Sequence, residues 1–417
     1  MHDSTARSLP LSALSSGGVR ARWMVSFLLL LAVTTAFFDR INVAVLFTNK
    51  DFQSDIGVSN PALMGLLMTA FVFPYGASAF VLSFCGDIFG PRKTLSAIAA
   101  ILAGAMAFMG AVSSYPLMLG ARMLLGVTEG PQFGAANAAV KRWFPPREQA
   151  LANAFWTIGS PLGSALGFPL VLFLVTQFGW RSSFYALAML NGLIILPVVW
   201  FFLKDNPPAD IAAEARLPTE ASMPFGEAIR MLARDWRFWL LPIYNSGALI
   251  YLWGFNSWLP TYLQEARHFD LAHTGFYSSL PFVLMVIGQL GAGWIGDRTG
   301  KRAAVCFGAL FLAGVFVYFA ALAPDASLAA WCLALSAGFW GGTTPTLFAI
   351  GMQIIPRKIT SFGFGLYAGF GNLVGSAAPF IMGMLIGTAG NYNAGLDFLV
   401  LSCIALSLFM LPLVRTH

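Results

Sequence analysis

Apolar runs of about 20 residues alternate with short punctuation of glycine, proline and charge along nearly the whole chain. The runs fall near 23–47, 59–84, 94–112, 116–140, 150–176 and 182–203, then near 238–264, 272–295, 303–323, 328–353, 360–388 and 394–414. Bilayer hydrocarbon is about 30 Å thick, and a helix rising 1.5 Å per residue needs about 20 apolar residues to cross it. The pattern therefore predicts an all-α membrane protein with twelve transmembrane helices. The one long polar stretch, Lys204 to Arg237, divides the chain. We expect a cytoplasmic tail over 1–22, a six-helix bundle over 23–203, a cytoplasmic linker over 204–237 and a second bundle over 238–417. The first apolar run has no small-residue cleavage site and reads as a retained span rather than a signal peptide.

Composition agrees. Of the 417 residues 58% are hydrophobic and 10% charged, whereas a soluble domain carries about a quarter charged residues. Mean hydropathy is +0.73. Charge then sets an orientation. Of the 24 Lys and Arg, Arg40 and Arg122 lie within spans, and only Lys50, Arg181 and Arg267 fall on the side opposite the N-terminus. The remaining nineteen lie on the N-terminal side, which the positive-inside rule makes cytoplasmic, with both termini there. The net charge of +6 follows from this asymmetry and calls for no nucleic-acid partner. Cys85, Cys306, Cys332 and Cys403 lack CxxC spacing and read as small buried residues. The four histidines sit in the termini or one loop, so no metal centre is expected. Neither a Walker loop nor a nucleophile–base pair is recognisable, and no enzyme activity or cofactor is expected.

The two halves repeat. Gly86-Asp87-Ile88-Phe89-Gly90-Pro91-Arg92-Lys93 follows the second span, and Gly296-Asp297-Arg298-Thr299-Gly300-Lys301-Arg302 follows the eighth. One offset, 210 residues, carries Asp87 to Asp297, Pro146 to Pro356 and Pro169 to Pro379. Three anchors at one spacing indicate duplication, hence two pseudo-symmetric six-helix bundles. Such paired halves with a site between them at the midplane are a transporter architecture.

With these residues the whole chain resembles the major facilitator superfamily, whose signature loop the GD-x-x-G-x-R-K segment looks like. Glycines there permit a tight turn, while Asp87 can face a helix N-terminus and Arg92 a neighbouring carboxylate. The resemblance implies a conformational latch built from Gly86, Asp87, Gly90 and Arg92, with Asp297 and Arg298 in the second half. A solvated loop that only sets topology is the alternative. Four finer segments are similar to the anion:cation symporter branch, which carries organic acids with protons or sodium. They are Asp39-Arg40-Ile41-Asn42, the run from Arg122 to Gly130, Gly179-Trp180-Arg181-Ser182-Ser183-Phe184 and Trp258-Leu259-Pro260-Thr261-Tyr262-Leu263.

A charge at the centre of a span costs about 2.5–3.5 kcal/mol on insertion scales, so it usually faces a cavity or a partner. The deep ones are Asp39, Arg40, Arg122 and Glu129, all in the first half. Arg122 and Glu129, two helical turns apart, share a face. Pro131 beyond them permits a kink. Glu129 is the candidate proton carrier; a structural Arg–Glu pair pinning helices is the alternative. Arg40 is the candidate substrate anchor, because a guanidinium grips a carboxylate with parallel hydrogen bonds. Asp39 either balances a positive neighbour or relays the proton, unless Asp39-Arg40 is a helix cap at the membrane edge. Arg122 is a second anchor or the partner of Glu129.

The resemblance also implies that Tyr75, Asn245 and Asn372 contact substrate, although each is equally suited to gluing helices together. Tyr251, Trp253, Tyr277 and Tyr367 are weaker candidates. Phe37 and Ala79-Phe80-Val81-Leu82-Ser83 replace a tyrosine and an amide-containing run common in the branch, which points to a less hydroxylated or more aromatic substrate than a sugar acid. Gly159, Gly163 and Gly167, with Gly363, Gly365, Gly369, Gly371 and Gly375, offer surfaces for sliding one half on the other or for static close packing. The expected function is proton-coupled uptake of a small carboxylate by alternating access, with efflux by proton antiport or ligand sensing as alternatives. The expected partners are that carboxylate, protons and the lipid bilayer of an inner membrane, the coupling ion being H+ and the protein a monomer.

Overall fold

The computed structural model describes residues 16–82, 85–208, 225–355 and 360–415. The side chain of Asp87, residue Pro356 and the basic residues Arg7, Arg216, Arg357 and Lys358 lie outside them. Each expected span is a helix or a broken pair of helices. The first bundle contains α1 (Ser16–Val45), α2 (Pro61–Val81), α3 (Pro91–Ala111), α4 (Tyr115–Glu129 and Gln132–Trp143), α5 (Pro146–Thr157 and Gly159–Phe178) and α6 (Trp180–Phe202). The second contains α7 (Trp236–Thr261), α8 (Leu271–Thr299), α9 (Arg302–Leu322), α10 (Ala326–Gly341 and Thr343–Ile354), α11 (Thr360–Gly375 and Ala378–Ala389) and α12 (Asn393–Leu413).

Among the described residues nine of these are long and apolar enough to cross a membrane on length and composition. The other three carry breaks or polar side chains. α4 breaks at Gly130-Pro131 and holds Arg122 and Glu129; α10 breaks at Gly342; α7 holds Asn245 and Asn256 among its aromatics. A proline without an N–H accounts for the first break. The breaks of α4 and α10 sit at nearly matching positions under the 210-residue offset.

Helix ends follow local chemistry. Asn60 accepts from the Ala62 N–H ahead of α2, Asp235 from Arg237 ahead of α7, and Asp270 from His273 ahead of α8. The linker is not uniformly irregular: Phe225–Arg234 is a helix, with apolar residues at positions 225, 228, 229 and 232 in an i, i+3, i+4, i+7 pattern. Arg181 and Arg267 solve one problem twice. Arg181 donates to the carbonyls of Gly110 and Val112 at the end of α3, and Arg267 to those of Ala320 and Ala323 at the end of α9. Cations there satisfy carbonyls that have no intrahelical partner. The Gly179-Trp180-Arg181 segment therefore has a structural task, since Trp180 and Arg181 also hold Asp55 at 3.1 and 3.0 Å.

The loops rich in Lys and Arg define a basic end of the molecule, and the opposite end is the far end. Contacts between the bundles concentrate toward the far end. Thr48 donates to Gln264 at 2.9 Å, Thr69 to the carbonyl of Ser376 at 2.7 Å, and Ser279 to that of Ala165 at 2.6 Å. Phe47 packs on Trp258 and Phe168 on Phe282. Glycine seats α2 against α11: a Cβ at Gly65 would strike the Pro379 carbonyl, and one at Gly383 the Pro61 carbonyl. The glycines singled out in α5 do something else. Gly159, Gly163 and Gly167 lie against Leu30, Thr34, Phe37, Phe38 and Ile41 of α1, within one bundle. Gly371 and Gly375 likewise pack on α7, so most of that set packs within its own bundle, while the seam between halves uses Gly65, Gly76 and Gly383, with Gly369 facing Phe80.

Gly65→Leu should prop this seam open. A cysteine placed at Thr69 would then react several-fold faster with an aqueous thiol reagent than in the Gly65 parent. Equal rates would show that the α2–α11 glycine contact does not hold the far end shut.

Candidate functional site

Four charged side chains are buried where α1 crosses α4: Asp39, Arg40, Arg122 and Glu129, none more than 2% exposed. They sum to zero charge, which is how a low-dielectric interior tolerates them. Their pairing differs from the seven-residue spacing of Arg122 and Glu129. Arg40 Nε lies 2.5 Å from Glu129 Oε2, bridging α1 and α4. Arg122 instead donates from Nε to the carbonyl of Leu67 on α2 at 3.1 Å, and from Nη1 and Nη2 to those of Asp39 and Arg40 at 3.5 Å. It therefore clamps three helices through their backbones and is not Glu129's hydrogen-bonded partner. Asp39 sits well inside α1, so it is no helix cap; its Oδ2 accepts from Asn191 Nδ2 of α6 at 2.8 Å.

Aromatic rings wall the Arg40 guanidinium. Its carbon lies 4.3 Å from the Phe37 ring centre and 4.6 Å from that of Tyr75, with Phe71 and Phe133 at 5.7 and 5.9 Å. Rings so placed stabilise a cation while excluding water. Arg40 Nη2 and Glu129 Oε1 are buried without a hydrogen-bond partner among the described residues. Beyond this cluster the second bundle answers through Trp253, whose ring meets Phe71 and Tyr75 edge-on and whose Nε1 donates to Asn372 Oδ1 at 3.1 Å. Tyr75 and Asn372 are thus linked through Trp253 across the interface between halves. Asn245 does not join them: its amide donates to the Tyr367 carbonyl at 3.3 Å, tying α7 to α11.

Trp253 was among the weaker candidates in the sequence, and Asn191 was not singled out at all. A signal for Asn191 existed, as the one amide in the apolar run of α6 beyond Ser183. Tyr251 bonds Ser336, Tyr277 stacks on Phe269, and the Tyr367 ring meets Phe364 edge-on.

The loop residues are held inside their own bundles. Gly90 has φ +89°, a conformation L side chains rarely adopt, and a Cβ there would meet the Asp205 carboxylate. Gly86 allows Ala135 of α4 to approach closely. The Arg92 N–H donates to Asp205 at 2.9 Å, and its guanidinium lies over Trp200 at 4.5 Å. In the second half Asp297 pairs with Arg302 at 2.9 Å and Arg298 lies over Trp294.

The Arg40–Glu129 pair should behave as a unit in stability. Breaking a buried pair from one side costs about 3–5 kcal/mol, whereas removing both partners costs far less. Arg40→Met is expected to lower the melting temperature in detergent more than Arg40→Met combined with Glu129→Gln. Strictly additive losses would contradict the pairing.

Comparison with known proteins bears on the fold and the family. The family model described as Major Facilitator Superfamily matches residues 29–379. The probable sulfoacetate transporter of Cupriavidus necator is 29% identical over 95% of this chain and 95% of its own. The probable galactarate/D-glucarate transporter of Bacillus subtilis is 26% identical over 94% and 92%, and the hexuronate transporter of that organism 27% identical over 87% and 89%. A crystal structure of a bacterial homologue of the human lysosomal transporter Spinster, inward-facing and unoccupied, superposes with a TM-score of 0.76 at 17% identity, covering 95% of this chain and 96% of that one. With that family model spanning most of its length, this multi-pass helical chain is a member of the Major Facilitator Superfamily.

Proposed function

We propose that this protein is a secondary active transporter of a small organic anion, coupled to protons, that works by alternating access. The observation that carries the proposal is the buried Arg40–Glu129 bridge, which lies against Tyr75 and is linked through Tyr75 and Trp253 to Asn372 across the seam between halves. The relatives named above are transporters named for sulfoacetate, galactarate and glucarate, and hexuronate, all organic anions, which supports the choice of substrate class.

The chemistry follows from competition for one guanidinium. An arriving carboxylate or sulfonate can take the Arg40 hydrogen bonds now given to Glu129. Glu129 would then be a charged group without a partner in a dry site, and a proton neutralises it. Anion and proton thus bind together, and the cluster loaded with a monoanion keeps zero net charge. When the anion leaves, Glu129 gives up its proton and recovers Arg40. Asn372 and the Trp253 indole supply neutral polar groups from the second half, and the rings around Arg40 exclude water. Arg122 holds α1, α2 and α4 in register while this happens.

With the basic end cytoplasmic, as the charge asymmetry argues, the far-end contacts close the outer side in this conformer. An inner-membrane location and import down a proton gradient belong to the same reading. The latch loops are expected to engage when the cytoplasmic side closes, since here Arg92, Asp297 and Arg298 contact their own bundles.

Proteoliposome uptake tests this. Sulfoacetate, galactarate, a hexuronate and benzoate would be compared with and without an inward proton gradient. At least one should accumulate on the gradient. Glu129→Gln should abolish that accumulation while leaving anion exchange, and Arg40→Ala should lower both by about tenfold or more. Gradient-driven accumulation that survives Glu129→Gln would remove Glu129 from coupling. Accumulation indifferent to the proton gradient would remove proton symport altogether.

A further inference from the structure

We infer that Asn191 is a positioning residue for the second buried carboxylate, holding Asp39 on α6 and away from the Arg40–Glu129 pair. The inference rests on the proton-coupled reading above for its meaning, and on geometry for its content. Asn191 is 1% exposed and lies in the only π-helical turn of α6, Leu190–Ile195. Such turns insert an extra residue into the helix and are common at functional sites. Its Nδ2 donates to Asp39 Oδ2 at 2.8 Å and to the Leu187 carbonyl at 3.1 Å. Both partners are acceptors, so the NH2 end of the amide must point at them, which fixes its orientation.

The charged groups around Asp39 are Arg40 on its own helix, Arg122 and Glu129 on α4, and on α6 it meets the neutral Asn191 amide. Arg40 is committed to Glu129, and Arg122 spends its Nη atoms on the carbonyls of residues 39 and 40. The Asp39 carboxylate therefore has Asn191 as its hydrogen-bond donor among the described residues, with Oδ1 buried and unpartnered. The two carboxylates are thereby given separate environments. One shares a guanidinium that substrate can claim; the other is held by a neutral amide whose direction depends on the π turn. Two titratable groups in unlike environments are suited to unlike protonation roles. Asn191 keeps Asp39 from competing with Glu129 for Arg40, and links its protonation to the geometry of α6.

A direct test is a pH titration by infrared difference spectroscopy of the full chain in nanodiscs, following the protonated carboxyl band that is absent from Asp39→Asn. Asn191→Leu removes the donor at similar volume, and Asn191→Ser removes it by shortening the side chain should leucine fail to fold. Losing a donor to the ionised form makes that carboxyl bind its proton more tightly, and we expect a change of about threefold or more, or about half a pH unit. The same displacement should appear in the pH profile of uptake. An Asp39 band that titrates at the parental pH in both variants, or no band assignable to Asp39, would overturn the inference. If the band moves but the parent accumulates no anion on a proton gradient, the positioning stands and the coupling reading fails.

Discussion

The rest of this structure depends on burying four charges where α1 meets α4. An unpaired carboxylate or guanidinium in that setting would be prohibitive, so each needs a partner, and each partner fixes a helix. Arg40 joins α1 to α4 through Glu129; Arg122 joins α4 to α2 and to the α1 backbone; Asp39 joins α1 to α6 through Asn191. The first bundle is thus cross-braced by the groups that the proposed transport would have to rearrange. In the proposed mechanism stability and function draw on one set of contacts, and substrate acts as a switch by competing with an internal partner.

The second bundle is built on other terms. It carries no matching deep charges; under the 210-residue offset Arg40 corresponds to Ile250 and Glu129 to Phe339. What it offers to the site is neutral, the Asn372 amide and the Trp253 indole. Glycine seats it against the first bundle, α2 on α11, closely enough that backbone meets backbone. A neutral, smooth surface facing a charged one is suited to rocking, since among the described residues no ion pair crosses the seam. The contacts that close the far end are single hydrogen bonds and ring packing, such as Thr48 with Gln264 and Phe47 with Trp258.

Much of this was legible in the sequence, for a physical reason. Lipid forces long apolar runs and confines charge, so the spans, the duplication and the four buried charges are visible without coordinates. Pairing was not legible. Helical periodicity puts Arg122 and Glu129 on one face, yet the contact that forms runs between helices, and spacing along a chain says nothing about which neighbour arrives there. Glycine misled for the same reason: Gly163 and Gly65 look alike in sequence, but one packs on α1 and the other on α11. The linker helix was hidden by charge, although its i, i+3, i+4, i+7 pattern stands in the residues. Asn191 was overlooked because a single amide in an apolar helix resembles helix glue until its partner is known.

The central claim is that anion and proton are linked through the release of Glu129 from Arg40. The most direct measurement is calorimetric binding, in two buffers of different ionisation enthalpy, of the anion best transported in the uptake panel. The account predicts that about one proton is taken up per anion bound by the parent protein and close to none by Glu129→Gln. Binding without proton uptake in the parent, or the same uptake in both proteins, would contradict it.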